Sequence, residues 1–160
     1  MAACACVEAW EYRTLDEPEH DCKNGEARML RPLMAWLAQT RRITRNTHIA
    51  MELAWFGRHI DLATLTRAGR TVAYELKLGS LGRALQQASY NRLAFDRSYV
   101  VTESVPKGEN LALAAEWGIG LIVVREDKAR LLLDSPVRRS TELHGRLLAQ
   151  LRSAGCAGDV

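Results

Sequence analysis

The sequence lacks any apolar run long enough to cross a membrane, and its N-terminus lacks the basic segment followed by a hydrophobic stretch that marks a secretory signal. These absences predict a cytoplasmic protein with no membrane partner. Cysteine is scarce, and the pair Cys4 and Cys6 has no matching second pair at the spacing of a zinc site. The remaining Cys22 and Cys156 fit reduced thiols in the cytosol.

A strong excess of charge of one sign is also missing. The net charge is +3, from 22 Lys and Arg against 19 Asp and Glu, so the sequence is not that of a uniformly basic nucleic-acid-binding protein. With 160 residues, of which 48% are hydrophobic, the chain supports one substantial core and is too short for two. We expect one domain over residues 21–153, a mobile segment at 1–20 and a short tail at 154–160.

A β-hairpin is predicted within residues 59–78. Apolar residues alternate with other residues along 59–66 and 71–78, which is the period of two typical of strands. Between the two strands, Arg67-Ala68-Gly69 fits a three-residue loop in which Gly69 supplies a positive φ. The loop therefore fixes how the two strands face each other.

In this register Asp61 lies opposite Glu75. One face then carries the apolar residues Ile60, Leu62, Val72, Tyr74 and Leu76, and the other carries Asp61, Ala63, Ala73, Glu75 and Lys77. The two small alanines would keep the second face open for a ligand. Opposed carboxylates weaken a strand pair, whereas Mg²⁺ would bind between them, with Lys77 activating water or stabilising phosphate charge. This face predicts a metal-dependent phosphodiesterase; the alternative is an ordinary solvated face with salt bridges.

On these residues the chain resembles the PD-(D/E)XK nuclease superfamily, whose fold is restriction-endonuclease-like, and within it a group of small bacterial members. Asp61, Glu75 and Lys77 match the family's Asp and Glu-x-Lys, while Ile60 stands where the motif has Pro. The resemblance covers residues 24–125. It also rests on the motifs Arg58-His-Ile-Asp61, Tyr74-Glu-Leu-Lys77, Gln87 and Phe95-Asp96-Arg97.

The resemblance implies a site for Mg²⁺ or Mn²⁺ that Asp61, Glu75 and the carbonyl of Leu76 would hold. In resolvase-like relatives, a Glu on the first helix completes the site. This points to Glu26, which begins the apolar stripe of a helix predicted at 24–40. A Glu in a first helical turn is also favourable with the helix dipole, whatever its function.

Glu52 is a second candidate for the same position. It lies in a predicted strand, and a tight turn near Phe56-Gly57 would set Glu52 beside Asp61. A register change of one residue would turn Glu52 to the opposite face. Both acids therefore remain candidates.

The helix predicted at 80–95 carries further candidates. Gln86 and Tyr90 are four residues apart and share a helix face. This Gln-x-x-x-Tyr resembles an element that positions substrate or lysine in exonuclease-type relatives. Gln87 competes with Gln86, since a small change of helix phase decides which amide faces the site.

The complete pattern predicts an α/β fold with a restriction-endonuclease-like α-β-β-β-α-β core, a mixed sheet flanked by helices, and a C-terminal β-hairpin and helix. We expect helices at 24–40, 80–95, 108–117 and 140–153, and strands at 47–55, 59–66, 71–78, 98–102, 120–125 and 129–133. Residues 98–125 form a β-α-β unit with parallel strands. The leucine stripe of the last helix fits either the core or a homodimer contact.

Several basic residues lie near these elements and predict contacts with phosphates rather than reading of sequence. They are Arg41, Arg42, Arg45, Arg58, His59, Arg83 and Arg92. We expect structure-directed or nonspecific DNA hydrolysis in repair, recombination or defence against foreign DNA. One alternative is a nuclease-fold DNA-binding or accessory module of a larger complex that cuts weakly or not at all. The other is a ribonuclease, since the same chemistry cuts RNA.

Overall fold

A mixed six-stranded sheet forms the centre of the computed structural model, which describes residues 25–138 and 142–155. Its strands lie side by side in chain order: β1 His48–Trp55, β2 Arg58–Leu65, β3 Thr71–Lys77, β4 Arg97–Thr102, β5 Gly120–Arg125 and β6 Lys128–Leu133. The strand pairs β1–β2, β2–β3 and β5–β6 are antiparallel, whereas β3–β4 and β4–β5 are parallel.

Four α-helices accompany the sheet within the described residues. They are α1 Leu30–Gln39, which follows a 3-10 turn at Glu26–Met29, then α2 Leu81–Asn91, α3 Glu109–Glu116 and α4 Glu142–Gly155. The predicted α/β fold is thus confirmed, including the α-β-β-β-α-β core and the C-terminal hairpin and helix. The predicted helix at 80–95 ends earlier, at Asn91, because the chain then turns towards β4.

Helices cover both faces of the sheet. α1 packs on one face, in a cluster that contains Met29, Leu33, Leu37, Leu62, Tyr74, Leu76, Tyr99 and Val101. α2 and α3 pack on the other face, in a cluster that contains Ala84, Leu85, Ala88, Val100, Ala114, Ile119 and Leu121. The predicted leucine stripe of α4 lies in the core on this second face, since Leu147 and Leu151 are buried against β1 and β2. This packing leaves no open face at Ala63 and Ala73, which are fully buried in the same cluster.

Tight turns set the register of the hairpins. The predicted loop before β3 is confirmed: Gly69 has a φ of 78°, and the Thr66 N–H donates to the Arg70 carbonyl at 2.9 Å. Phe56 and Gly57 both have positive φ and join β1 to β2 in a two-residue turn. The turn aligns β1 with β2 so that Glu52 lies opposite Asp61.

Halfway along the β1–β2 hairpin, the alternation of side chains between the two faces of the sheet is interrupted. Leu62 packs beneath α1, whereas Ile60 packs with Ala63 in the cluster beneath α4. A regular strand would keep Ile60 and Leu62 on one face, so the prediction is wrong for Ile60. The interruption coincides with Glu52, which has a φ of 51° in the middle of β1 and lies opposite Asp61. A residue in the left-handed region interrupts the alternation of a strand.

A group of ion-paired and hydrogen-bonded side chains, which we call the Asp134 cluster, lies beside the first residues of β4. It comprises Arg42, Arg97, Tyr99 and Asp134. Arg97 donates to the Asp134 carboxylate at 2.9 Å, Tyr99 donates to the same carboxylate, and Arg42 lies 3.7 Å from it. The ring of Tyr99 packs directly over Gly120, where a Cβ would lie 2.2 Å from the ring. Only glycine fits there.

Within the part of the chain that the structure describes, no helix has the length and apolar character needed to cross a membrane. The predicted N-terminal segment 1–20 and the four cysteines lie outside the described residues. Of the predicted C-terminal tail at 154–160, residues 154 and 155 belong to α4, which ends at Gly155, and residues 156–160 lie outside the described residues. Residues 21–24, the first residues of the predicted domain 21–153, lie outside them as well.

Candidate active site

Asp61 lies in β2 at the point where the β2–β3 ladder ends. The last regular pair is Leu62 with Tyr74, and the predicted opposition of Asp61 and Glu75 falls one position beyond it. Instead, the Leu76 N–H donates to Asp61 Oδ2 at 2.7 Å. Burial raises the pKa of Asp61, and the nearby Glu52 and Glu26 raise it further. The Asp61 carboxylate is therefore held against the backbone of β3, among other acids.

Glu75 is only 4% exposed and lies on β3. Burial raises the pKa of its carboxyl group to about 7, and Asp61 contributes to the rise. A hydrogen bond from Asn91 and the positive charge of Arg58 act in the opposite direction. A carboxyl group whose pKa is raised to near 7 is energetically unfavourable in its ionised form, and a neighbouring cation would stabilise that form.

Asn91, at the end of α2, is the residue of this site that the sequence analysis missed. Its Nδ2 donates to Glu75 Oε1 at 2.6 Å, and its side chain is 1% exposed. Its Oδ1 is buried and has no hydrogen-bond partner. The available signal was a polar residue on the apolar stripe of α2, four positions after Gln87 and seven after Ala84.

Lys77 is engaged by the first helical turn. Its Nζ donates to Glu26 Oε1 at 2.6 Å, and both side chains are about one-third exposed. This contact places the candidate Glu26 at the end of β3. Its negative charge there raises the pKa of Asp61. The four acids Glu26, Glu52, Asp61 and Glu75, together with Lys77, form what we call the carboxylate cluster.

Glu52 joins this cluster through its strand register. The predicted tight turn is confirmed. Glu52 and Asp61 both fall between the pairs Met51–Leu62 and Leu53–Ile60, and the charge of Glu52 acts on Asp61. Glu52 is exposed, and its charge raises the pKa of both Asp61 and Glu75. The charges of both competing candidates, Glu26 and Glu52, thus act on Asp61.

The candidate residues on α2 differ in how far their side chains are buried. Gln87 is half-buried on the α2 stripe that carries Asn91, whereas Gln86 is exposed. Tyr90 is 49% exposed, and the guanidinium of Arg58 lies over its ring, 4.8 Å from the centroid. Since Arg58 also lowers the pKa of Glu75, Tyr90 and Arg58 lie at the margin of the carboxylate cluster.

The other basic candidates are dispersed. His59 and Arg83 are exposed near Arg58 and on α2, respectively. Arg41, Arg42 and Arg45 lie in the segment before β1, at the end of that strand opposite to the Phe56-Gly57 turn, and Arg42 belongs to the Asp134 cluster. Arg92 is 8% exposed and donates to the Pro136 carbonyl at 2.6 Å and to Ser135. Its guanidinium is used inside the fold and is not available to a phosphate.

The donor set of the carboxylate cluster fits a hard divalent cation. Mg²⁺ takes oxygen ligands, keeps several waters and needs only one or two carboxylates. Asp61 and Glu75 supply two partly desolvated carboxylates, with the backbone of Leu76 beside them. Among residues 25–138 and 142–155, no three His, Cys, Asp or Glu side chains form a group that could hold a metal ion.

No protein-family model matches this chain, and no curated protein matches it. A solved structure with a similar fold is that of the SPO1766 protein of unknown function from Silicibacter pomeroyi. The two share 16% sequence identity and align with a TM-score of 0.63 over 84% of this chain and 87% of that chain. At this identity the similarity concerns the fold alone.

Proposed function

We propose that the protein is a metal-dependent nuclease of the PD-(D/E)XK type that hydrolyses DNA phosphodiester bonds. The observation that carries the proposal is the pair Asp61 and Glu75, two carboxyl groups withdrawn from water beside Lys77. Burial and the neighbouring acids make their ionised forms unfavourable, which is a poor arrangement for stability alone. A site that must receive a cation accounts for it.

Asp61 and Glu75 would hold Mg²⁺ or Mn²⁺, with the carbonyl of Leu76 and Glu26 or Glu52 as further ligands. When bound, the cation supplies positive charge that keeps both carboxylates ionised and offsets the charge that develops on the phosphate. The resemblance of Asp61, Glu75 and Lys77 to the family motif supports the same ligand set.

The chain's own residues have distinct tasks in this proposal. Lys77 orients the attacking water through a hydrogen bond from Nζ and stabilises negative charge on the phosphate oxygens. Glu26, whose Oε1 lies 2.6 Å from that Nζ, holds the lysine at the end of β3. Asn91 fixes the rotamer of Glu75 from within α2. We propose that cleavage is structure-directed or nonspecific.

The direct test is cleavage of linear, nicked, branched and single-stranded DNA, with RNA in parallel, in Mg²⁺, Mn²⁺ or EDTA. The wild type should cut DNA only with metal, and Glu75→Gln and Lys77→Ala should each lower the rate by about 100-fold or more. Preferred cutting of RNA would support the ribonuclease alternative instead.

Matched variants of exposed residues control for the loss of charge. Glu116→Gln lies on α3 and Lys107→Ala lies in the segment before it, and both residues are exposed. Both variants should cut like the wild type. Metal-dependent cutting that persists at full rate in Glu75→Gln and Lys77→Ala would contradict the assignment and indicate a contaminating nuclease.

Two observations favour the accessory-module alternative. In the described residues no three potential ligand side chains converge, and Lys77 is paired with Glu26. A protein that binds DNA in EDTA and leaves every substrate intact in Mg²⁺ and Mn²⁺ would have that role.

A further inference from the structure

An exposed aromatic ring and an arginine are stacked at the margin of the carboxylate cluster. The guanidinium of Arg58 lies 4.8 Å from the centroid of the Tyr90 ring, which is 49% exposed. Tyr90 directly precedes Asn91, the residue that holds Glu75. The charge of Arg58 also acts on Glu75, so the stacked pair lies near a carboxylate of the proposed reaction.

A second exposed ring lies two residues before Arg58. Phe56 is 63% exposed at the β1–β2 turn, and its ring meets Trp55 edge-to-face at 4.9 Å. Trp55 is buried in the cluster that also contains Ala94 and Phe95, which follow α2. Phe56 thus lies against a residue that packs with the segment after α2. We call Phe56, Arg58 and Tyr90 the aromatic rim.

Neither local backbone preference nor burial explains why residue 56 is a phenylalanine. It has a φ of 46°, a left-handed conformation that favours Gly, Asn or Asp in a two-residue turn and is unfavourable for a bulky side chain. Its ring is also largely left in water. Strained conformations of this kind cluster at functional sites, where another requirement outweighs the local preference.

The neighbouring surface of α2 carries one positive charge, from Arg83, which can contact a phosphate. Arg83, Gln86 and Tyr90 are spaced three and four residues apart, so they form one stripe along the helix. Arg83 and Gln86 are exposed. Cations beside flat aromatic surfaces are the combination that binds single strands, because every unpaired base has a face to stack.

We propose that the aromatic rim is a stacking platform for unpaired bases, and that the substrate of this protein is DNA with a single-stranded segment, such as a flap, a gap or a frayed end. The inference rests on the proposed function for the reaction that follows, but not for the binding itself. Base pairs of an intact duplex keep their faces covered, so a duplex gains nothing from the rim except phosphate contacts.

The test measures binding without cleavage. Fluorescence anisotropy in EDTA compares a labelled oligothymidylate with a blunt duplex of equal length. The single strand should bind more tightly, and Tyr90→Ala should weaken its binding by about 5- to 150-fold while changing duplex binding little. Tyr90→Phe keeps the ring and should bind like the wild type. Trp117→Ala removes an exposed ring at the end of α3 and should have no effect.

Phe56→Asn separates binding from folding. Asn is favoured at a left-handed turn position, so the variant should melt at the same temperature as the wild type or higher. It should nevertheless bind the single strand more weakly, by about 5-fold or more. Weaker binding in a protein that folds at least as well cannot come from unfolding.

Salt dependence separates stacking from charge. Arg58→Ala should lower the slope of log Kd against log salt by about 0.7 for a single strand, whereas Tyr90→Ala should leave the slope unchanged. Duplex binding as tight as single-strand binding, or equal loss on both in Tyr90→Ala, would overturn the platform. If the rim variants lose single-strand binding and the wild type cuts nothing in Mn²⁺, the platform stands and the nuclease proposal fails. If metal-dependent cutting is normal but the rim variants bind like the wild type, only the platform fails.

Discussion

The Asp134 cluster and the carboxylate cluster lie at the same sheet, but they differ in how far neighbouring groups offset the burial of a carboxylate. Burial raises the pKa of Asp134, yet the hydrogen bonds from Tyr99 and Arg97 outweigh it, so that this pKa lies below its ordinary value. In the carboxylate cluster burial also raises the pKa of Glu75, to about 7, and the single bond from Asn91 does not offset it. The first cluster stabilises the fold, whereas the second keeps an unfavourable charge that a cation would relieve.

The largest expected effect concerns Glu75→Gln. The ordinary pKa of Glu75 is 4.5, and its pKa in the folded protein is about 7, so the folded state binds this proton more tightly. The wild type should therefore lose up to about 3 kcal/mol of unfolding free energy as pH rises between these values. Glu75→Gln escapes this loss and should be the more stable protein above pH 7 in metal-free urea unfolding. A difference between the two proteins that does not grow with pH would contradict the raised pKa.

Asp134→Asn should show the opposite sign. The pKa of Asp134 is lowered, so its contribution is present above its ordinary pKa of 3.8 and is lost as pH falls through its value in the folded protein. The side chain is half exposed, so we expect the variant to lose only about 1 to 2 kcal/mol at pH 7. The loss should be smaller in acid. Urea unfolding at both pH values measures it, and a variant equal to the wild type at pH 7 would remove the stabilising role of this cluster.

Asn91→Ala should have the smallest effect and sharpens the link between α2 and Glu75. Without the donor, the pKa of Glu75 should rise further, and the pH range in which stability is lost should move upwards. We expect a destabilisation of about 1 kcal/mol that is larger at pH 8 than at pH 5, because the bond favours the ionised carboxylate. Gln86→Ala, at an exposed position on the same helix, is the control and should show no such pH dependence.

Much of the fold could be predicted because its signals are local. Alternation gave the strands, and Gly69 set the loop before β3. The interruption in the β1–β2 hairpin had no such signal: Glu52 adopts a left-handed conformation that its residue type does not favour. Ile60 was consequently assigned to the wrong face. The partners of Asp134 were equally hidden, since Arg42 and Arg97 meet it only through the packed sheet.

The residues of the candidate site that lie on strands could be predicted from strand periodicity. Asp61, Glu75 and Lys77 follow from the hairpin, and Glu52 from the next turn. Asn91 did not follow, because the phase of α2 relative to the sheet depends on tertiary packing. The role of Arg92 was obscured for the same reason, since its partners Ser135 and Pro136 come from the segment after β6.

The central claim, that the carboxylate cluster binds a divalent cation, is tested most directly by calorimetric titration with Mn²⁺ near pH 7. The wild type should bind Mn²⁺ and release protons, because Glu75 must ionise to act as a ligand. Asp134→Asn, whose change lies in the other cluster, should bind equally well, and Glu75→Gln should lose most of the binding. Equal binding by Glu75→Gln and the wild type, or no binding by the wild type, would contradict the account.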